Sequence, residues 1–262
     1  MLPKANAYGL FRIISNNLPK RFFSSAAVSE IKELELDTPK IVNGRVNPLT
    51  HPDYFNVGNL FTVRDLLEAR VHFGHKVGSL NDRMKPYLFG SRLDFTIFDL
   101  EQTKEHLQRA LNVAAHTAMQ GGIILFFCRS SINAHTVEKT ALECGEFAHT
   151  RYWRGGTFTN SKVQFKAVTR LPDLCIFLNT LNNVMLQHTA IRDSAKMNIP
   201  TIGVVDSNCS PDLLTYVVPG NDDSPASIEL YCKLFKEAIL RGKAKRKEFI
   251  EELEALEKEQ AS

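Results

Sequence analysis

Three observations predict that residues 62–240 fold as an α/β domain, a doubly wound and mostly parallel sheet with helices on both faces. Short apolar runs at Ile123–Cys128, Leu174–Leu178 and Thr201–Val205 have the composition of strands covered on both sides. Between them lie segments with apolar residues three and four apart, as at Leu107, Leu111 and Ala115. Helix punctuation separates the two kinds of segment, with Pro200 stopping one helix and Ser224-Pro225 opening another. Such a domain is flavodoxin-like or Rossmann-like, and periodicity alone leaves its strand order open.

The elements follow in order. Thr62, with Asp65 three positions on, caps a short helix whose apolar face is Leu66, Leu67 and Val71. Phe95–Asp99 begins the alternation as a strand, and a helix spans Glu101 to Met119. After the strand at Ile123–Cys128, Ser130 or Ser131 is expected to cap a helix reaching about Cys144. The strand at Leu174–Leu178 is followed by a helix through Met197, then the strand Thr201–Val205 and a short one at Tyr216–Val218. The last major helix nears its end at Leu240.

The flanks differ from this domain. Up to Ala27 the basic residues are Lys4, Arg12, Lys20 and Arg21, and there is no acid. An acid-free segment broken by basic and amide residues is a transit peptide by composition, so residues 1–27 are expected to be a mitochondrial targeting sequence. Arg21-Phe22-Phe23-Ser24 resembles a matrix processing pattern, with a cut between Phe23 and Ser24. Residues 28–61, with Pro39, Pro48 and Pro52, are expected to form an irregular arm. Residues 241–262 form a charged extension in which Arg241, Lys243, Lys245, Arg246 and Lys247 precede a run of glutamates. It is either a helix with four-apart Lys/Arg–Glu pairs or a basic turn touching RNA beside an acidic tip.

The 262 residues are 44% hydrophobic and 23% charged, enough to bury a core without disulfides. No apolar run approaches the roughly 20 residues that span a bilayer. The five cysteines are widely spaced and suit a reducing compartment. The formal charge of +3 is misleading. Without the leader, 28 basic residues face 29 acidic ones, a formal −1.

Catalytic signatures are missing. There is no GxGxxG after a strand, no phosphate-cradling GxxxxGK[ST] and no G-x-S-x-G elbow. Asp99 and Asp206 stand just past strands, where α/β sheets hold ligands, and are the acids an enzyme would use. His72 and His75 are three apart, but Gly74 weakens a helix there and no adjacent Cys or carboxylate completes a metal set. That segment is expected to be a structural or RNA-contacting turn, and no cofactor, metal or small-molecule substrate is expected.

Local charge is more telling. Residues 64–92 carry a formal +3, and residues 151–170 carry +5 with Arg151, Arg154, Lys162, Lys166 and Arg170 and no acid. The second patch interleaves Tyr152, Trp153 and Phe158 with Gly155-Gly156, Thr157, Thr159 and Asn160. Arginine forks, close backbone approach and hydroxyl donors suit a sugar-phosphate chain. A solvated basic hairpin whose aromatics belong to the core is the alternative.

Six ordered segments then resemble a known family: Leu67–His75, Met84–Gly90, Ile97–Leu100, Arg154–Asn160, Ile199–Pro211 and Val218–Ser224. Together they look like the second protein of the small ribosomal subunit, in its mitochondrial form. The resemblance implies a structural, non-enzymatic domain contacting mitochondrial small-subunit rRNA and neighbouring ribosomal proteins, in the matrix. Carried onto this chain, the RNA-facing residues are His72, His75, Lys76, Arg83, Lys85, Arg151, Arg154, Thr159, Asn160 and Lys162. Lys166 and Arg170 join them from the charge pattern. The carboxylates of the Pro219–Asp223 loop are expected to cap the helix opened by Ser224-Pro225. One departure is large: bacterial relatives insert a helical hairpin after the Gly-Gly-Thr-x-Thr-Asn segment. Here only ten residues separate Asn160 from Leu171, too few for two helices and a turn.

Overall fold

The computed structural model of the chain describes residues 41–42, 45–46, 51–183 and 186–261. The predicted targeting sequence and most of the arm lie outside them. The chain divides into two units, residues 1–54 and 55–262. Within the first, Ile41–Val42 pairs antiparallel with Arg45–Val46. The second carries the parallel sheet.

Its centre is a five-stranded, wholly parallel sheet. The strands are β4 (Ile124–Phe127), β5 (Phe147–His149), β6 (Leu174–Phe177), β7 (Thr201–Val205) and β8 (Tyr216–Pro219), ordered β8-β7-β6-β4-β5. Every residue of β6 and β7 is buried, which is why those runs are apolar without alternation. Counted from β4, the strand order is 2-1-3-4-5, that of flavodoxin-like sheets, with the chain reversing direction across the sheet between β4 and β6.

Phe95–Phe98 was expected to open this alternation, but it belongs to a separate antiparallel sheet. There β3 (Phe95–Phe98) lies between β1 (Phe73–Lys76) and β2 (Leu88–Arg92). From Phe73 onward β1 therefore replaces the turn predicted over His72–His75, while His72 itself closes a turn at residues 69–72. Gly74 is costly in a strand as in a helix, but its missing Cβ lets this strand pair beside Thr96 and Ser207. β5 also went unpredicted, because an edge strand of three residues offers little periodicity.

Helix α1 (Val63–Glu68) starts as expected. Thr62 accepts from the Asp65 amide at 3.4 Å, and Asp65 Oδ2 accepts from the Thr62 amide at 2.8 Å. Helix α2 (Leu100–Gln120) is capped by Asp99, which accepts from the Glu101 amide at 3.0 Å, and ends at Gly121 with φ 74°. Helix α3 (Ala134–Cys144) differs from expectation. Asn133, not Ser130 or Ser131, is its first flanking residue, and its side chain makes no capping bond. Helix α4 (Ser161–Phe165) has only five residues and stands where bacterial relatives were expected to carry the hairpin. Helix α5 (Thr189–Lys196) begins at His188, whose Nδ1 accepts from the Ala190 amide at 3.2 Å. Before it, Leu181–Asn183 and Leu186–Gln187 pair as an unpredicted antiparallel ribbon.

Helix α6 runs unbroken from Pro225 to Ala261, through the predicted boundary at residue 240. Its basic run is used inside the molecule. Arg241 Nη1 donates to the carbonyls of Phe55 at 3.1 Å and Asn56 at 2.8 Å. Lys243 Nζ meets the last carbonyls of α3, Cys144 at 2.5 Å and Gly145 at 3.2 Å, and pairs with Glu146 at 2.5 Å. A cation at a helix C-terminus satisfies orphan carbonyls and complements the dipole. Lys245 pairs with Glu248 at 2.6 Å along the helix. The extension is thus helical, but these three cations do not make the four-apart pairs of that alternative: Lys245 and Glu248 are three apart, and Arg241 and Lys243 bond to other elements.

The small-residue stripe Ala110, Ala114, Ala115 and Ala118 is buried on α2 and lets α6 approach closely. A Cβ on Gly242 would lie 2.3 Å from the Ala115 carbonyl oxygen and 3.1 Å from the Ala118 Cβ. Phe55, Val57 and Phe61 are buried too, so the end of the stretch predicted to be irregular packs into the domain. All five cysteines are free and buried.

Two outcomes follow. Gly242→Ala should cost about 1–3 kcal/mol through overpacking, a fall in Tm of roughly 3–10 °C by differential scanning calorimetry. Gly90→Ala, with nothing within 4 Å of its new methyl, should move Tm far less. The second concerns His188, whose imidazole is pushed down to about 4, first by burial and then by the neighbouring His149 and Arg129 charges. Because the folded value lies below the ordinary 6.5, His188 contributes stability that is whole above pH 6.5 and lost as pH falls toward 4. His188→Asn, which keeps a capping acceptor, should flatten the urea-midpoint slope over that window. An unchanged slope would assign it to other groups.

Candidate nucleic-acid interface

The residues predicted to face RNA fall into two sets. The segment from Arg151 to Arg170 follows β5, at one edge of the parallel sheet. Trp153 and Phe158 anchor it. Both are buried in the cluster with Phe127, Phe177 and Ile191, and their rings meet edge-on at 4.7 Å. Trp153 Nε1 donates to the buried Asp193 carboxylate at 3.1 Å, fixing the loop to α5. These two aromatics are therefore core residues, not stacking platforms, whereas Tyr152 and Phe165 are exposed.

With those rings turned inward, Arg151, Arg154, Thr159, Asn160, Lys162 and Lys166 are exposed. Gly156 has φ 87° and Lys166 φ 53°, so the chain turns sharply twice. Among the described residues, Arg151, Arg154, Lys162 and Lys166 form no ion pair. Arg170 differs, because it pairs with Asp173 at 3.0 Å.

In the other set, Arg83 pairs with Asp212 and Lys85 with Asp82 at 2.7 Å, so both cations already have carboxylate partners. His72 is half-buried, its ring 4.1 Å from that of Phe73, and burial lowers its pKa. Lys76 is exposed at the rim of a cleft.

His75 lies inside that cleft, an open space of about 1110 Å³ beyond the C-terminal ends of β4, β6 and β7. This is the crevice where the strand order reverses. Its backbone is held from both sides: its amide donates to Ser207 Oγ at 2.8 Å, and its carbonyl accepts from Thr96 Oγ1 at 2.9 Å. Only glycine fits before it, since a Cβ on Gly74 would stand 2.3 Å from Thr96 Oγ1 and 2.9 Å from Ser207 Oγ. The ring lies between two carboxylates, with Nδ1 3.1 Å from Asp206 Oδ2 and Nε2 3.2 Å from Asp223 Oδ2. Asp206, then Asp223, hold the imidazolium well above its usual range, up to about 10, against the opposing effect of burial. In turn His75 draws Asp223 below the carboxylate range. Asp222, buried beside them, is pushed up by burial and by Asp206.

The Pro219–Asp223 loop thus differs from expectation. Its carboxylates turn into the cleft, and the loop amides are ordered by Asn221, whose Oδ1 accepts from Asp223 at 2.9 Å and Ser224 at 3.3 Å. Of the two acids singled out in sequence, Asp99 is a helix cap and Asp206 a cleft residue. Asp222, Asp223 and Asn179 went unnoticed as cleft residues. The tandem acids just past β8 were the available signal.

The family profile "Ribosomal protein S2" matches residues 66–173 and 163–242. The two stretches overlap within the shortened segment after Asn160. The chain is 54% identical over 236 residues to small ribosomal subunit protein uS2m of Bos taurus, covering 90% of this chain and 79% of that one. It is 35% identical over 224 residues to small ribosomal subunit protein uS2 of Gluconobacter oxydans, covering 70% and 83%. For the uS2 protein of Nitratiruptor sp. the identity is 30% over 246 residues, covering 78% and 90%. On the profile match, these identities and the parallel sheet that carries the matched segments, the chain belongs to the ribosomal protein S2 family.

Proposed function

We propose that this chain is a structural constituent of the small subunit of the mitochondrial ribosome. It works in the matrix and supports subunit assembly and mitochondrial translation without being an enzyme. Residues 1–27 serve as its targeting sequence. Its contacts are with small-subunit rRNA on one surface and neighbouring ribosomal proteins on others, as suits a formal charge of −1 outside the leader.

The observation that carries the RNA contact is the exposed, acid-free segment after β5. Four cations that form no ion pair among the described residues project from a loop anchored in the core by Trp153 and Phe158. Such a loop presents its charges in fixed positions, so less entropy is lost when phosphates bind. Thr159 and Asn160 add neutral donors beside them. Arg83, Lys85 and Arg170 rank lower, because each would first leave a carboxylate. His72, His75 and Lys76 stand apart from this surface, with His75 committed to the cleft.

Reversing Arg151, Arg154, Lys162 and Lys166 to glutamate should cut co-sedimentation with small mitochondrial subunits by at least about tenfold. The Tm of the purified chain should stay within about 2 °C, as befits surface substitutions. Where direct RNA binding is measured, the log–log salt slope should flatten by about 3, from four phosphate contacts at about 0.7 each. Full incorporation of the reversed chain would reject this RNA face. Glutamate at Lys85 alone should have a smaller effect.

A further inference from the structure

The segment after β5 holds one side chain that phosphate contacts leave unexplained. Tyr152 is 72% exposed, and among the described residues its hydroxyl forms no hydrogen bond and its ring meets no other ring. Phosphates gain little from an aromatic face, so a surface that met only the RNA backbone would have no use for it.

The position of that ring is nonetheless fixed. Before it, Thr150 Oγ1 donates to Glu138 Oε1. After it, Trp153 is buried beside Phe127 and donates to the Asp193 carboxylate at 3.1 Å. The backbone on both sides of Tyr152 is thus tied to the domain, which leaves only two side-chain torsions to settle on binding. The turn beyond is braced from within. Thr157 Oγ1 donates to the Arg154 carbonyl at 2.6 Å, and Gln164 Nε2 to the Gly155 carbonyl at 2.7 Å, which holds α4 against the turn. A Cβ on Gly155 would meet nothing within 4 Å, so the space beside Arg154 is open to a ligand.

We propose, on the basis of the RNA contact inferred above, that this face takes single-stranded RNA, with one unpaired base stacked on Tyr152 and the adjoining phosphates held by Arg151 and Arg154. A duplex hides its base faces in its own stack and offers a docking surface mainly phosphates and 2′-hydroxyls. An unpaired base presents a face of its own. Every base has one, so stacking of this kind selects strandedness and not sequence. Residues 151–154 supply both contacts from one short stretch: guanidinium forks for phosphate oxygens and a flat, largely apolar ring for the base.

The test measures fluorescence anisotropy of the full chain at low salt with a labelled oligouridine and with a blunt RNA duplex of equal length. The basic leader is common to every variant and cancels when variants are compared on one probe. Tyr152→Ala should weaken single-strand binding by roughly 5- to 150-fold, the range for losing one stacked base. The same variant should bind the duplex as the parent chain does. Its log–log salt slope should not change, because no charge is removed, whereas Arg154→Ala should flatten the slope by about 0.7. Tyr152→Phe keeps the ring and should retain the parent affinity. Unchanged single-strand affinity in Tyr152→Ala, an equal loss on the duplex, a Tyr152→Phe variant as weak as Tyr152→Ala, or no binding of the single strand would each overturn the stacking. Each of these results can occur while reversal of the four cations still blocks incorporation, so failure of the stacking and failure of the RNA face are read separately.

Discussion

Burial of β6 and β7 on both faces is the constraint on which the rest of the molecule depends. A parallel strand whose every residue is covered needs helices above and below, and needs crossovers long enough to supply them. Helices α2 and α6 meet that need on one side through a contact so close that it excludes a Cβ at Gly242. With faces and helices committed to packing, polar function is left to the loops at the strand ends. The acidic cleft occupies the C-terminal ends, at the reversal of strand order.

Charge is partitioned by the same logic. The basic run of α6 points to carbonyls at the end of α3 and near Phe55, and so contributes to packing within the chain. Arg83, Lys85 and Arg170 each hold a carboxylate. Arg151, Arg154, Lys162 and Lys166 form no ion pair among the described residues, and they stand on a loop nailed down by Trp153 and Phe158. A nearly neutral chain can in this way present one strongly positive surface and leave others for proteins.

Much of the fold was legible because its signals are local. The Thr62–Asp65 capping box, the α2 stripe and the apolar runs of β4, β6 and β7 each depend on residues within a turn or a strand of one another. What was misread depends on distant partners. Phe95–Phe98 is a good strand in either sheet, and only pairing with Phe73–Lys76 and Leu88–Arg92 assigns it to the antiparallel one. Trp153 and Phe158 could have stacked on bases until the core behind them was known.

The site divides in the same way. His72 and His75 lacked a nearby carboxylate in the chain, and that was sound as far as local spacing reaches. Tertiary structure separates the pair and brings His75 to Asp206 and Asp223, more than a hundred residues away. By itself the sequence determined the α/β class, the chemistry of the strands and the placement of positive charge, since composition and periodicity are local properties. Only the fold decided which cations stay unpaired and which acids share a cleft, because both depend on contacts between segments that nothing in the linear order brings together.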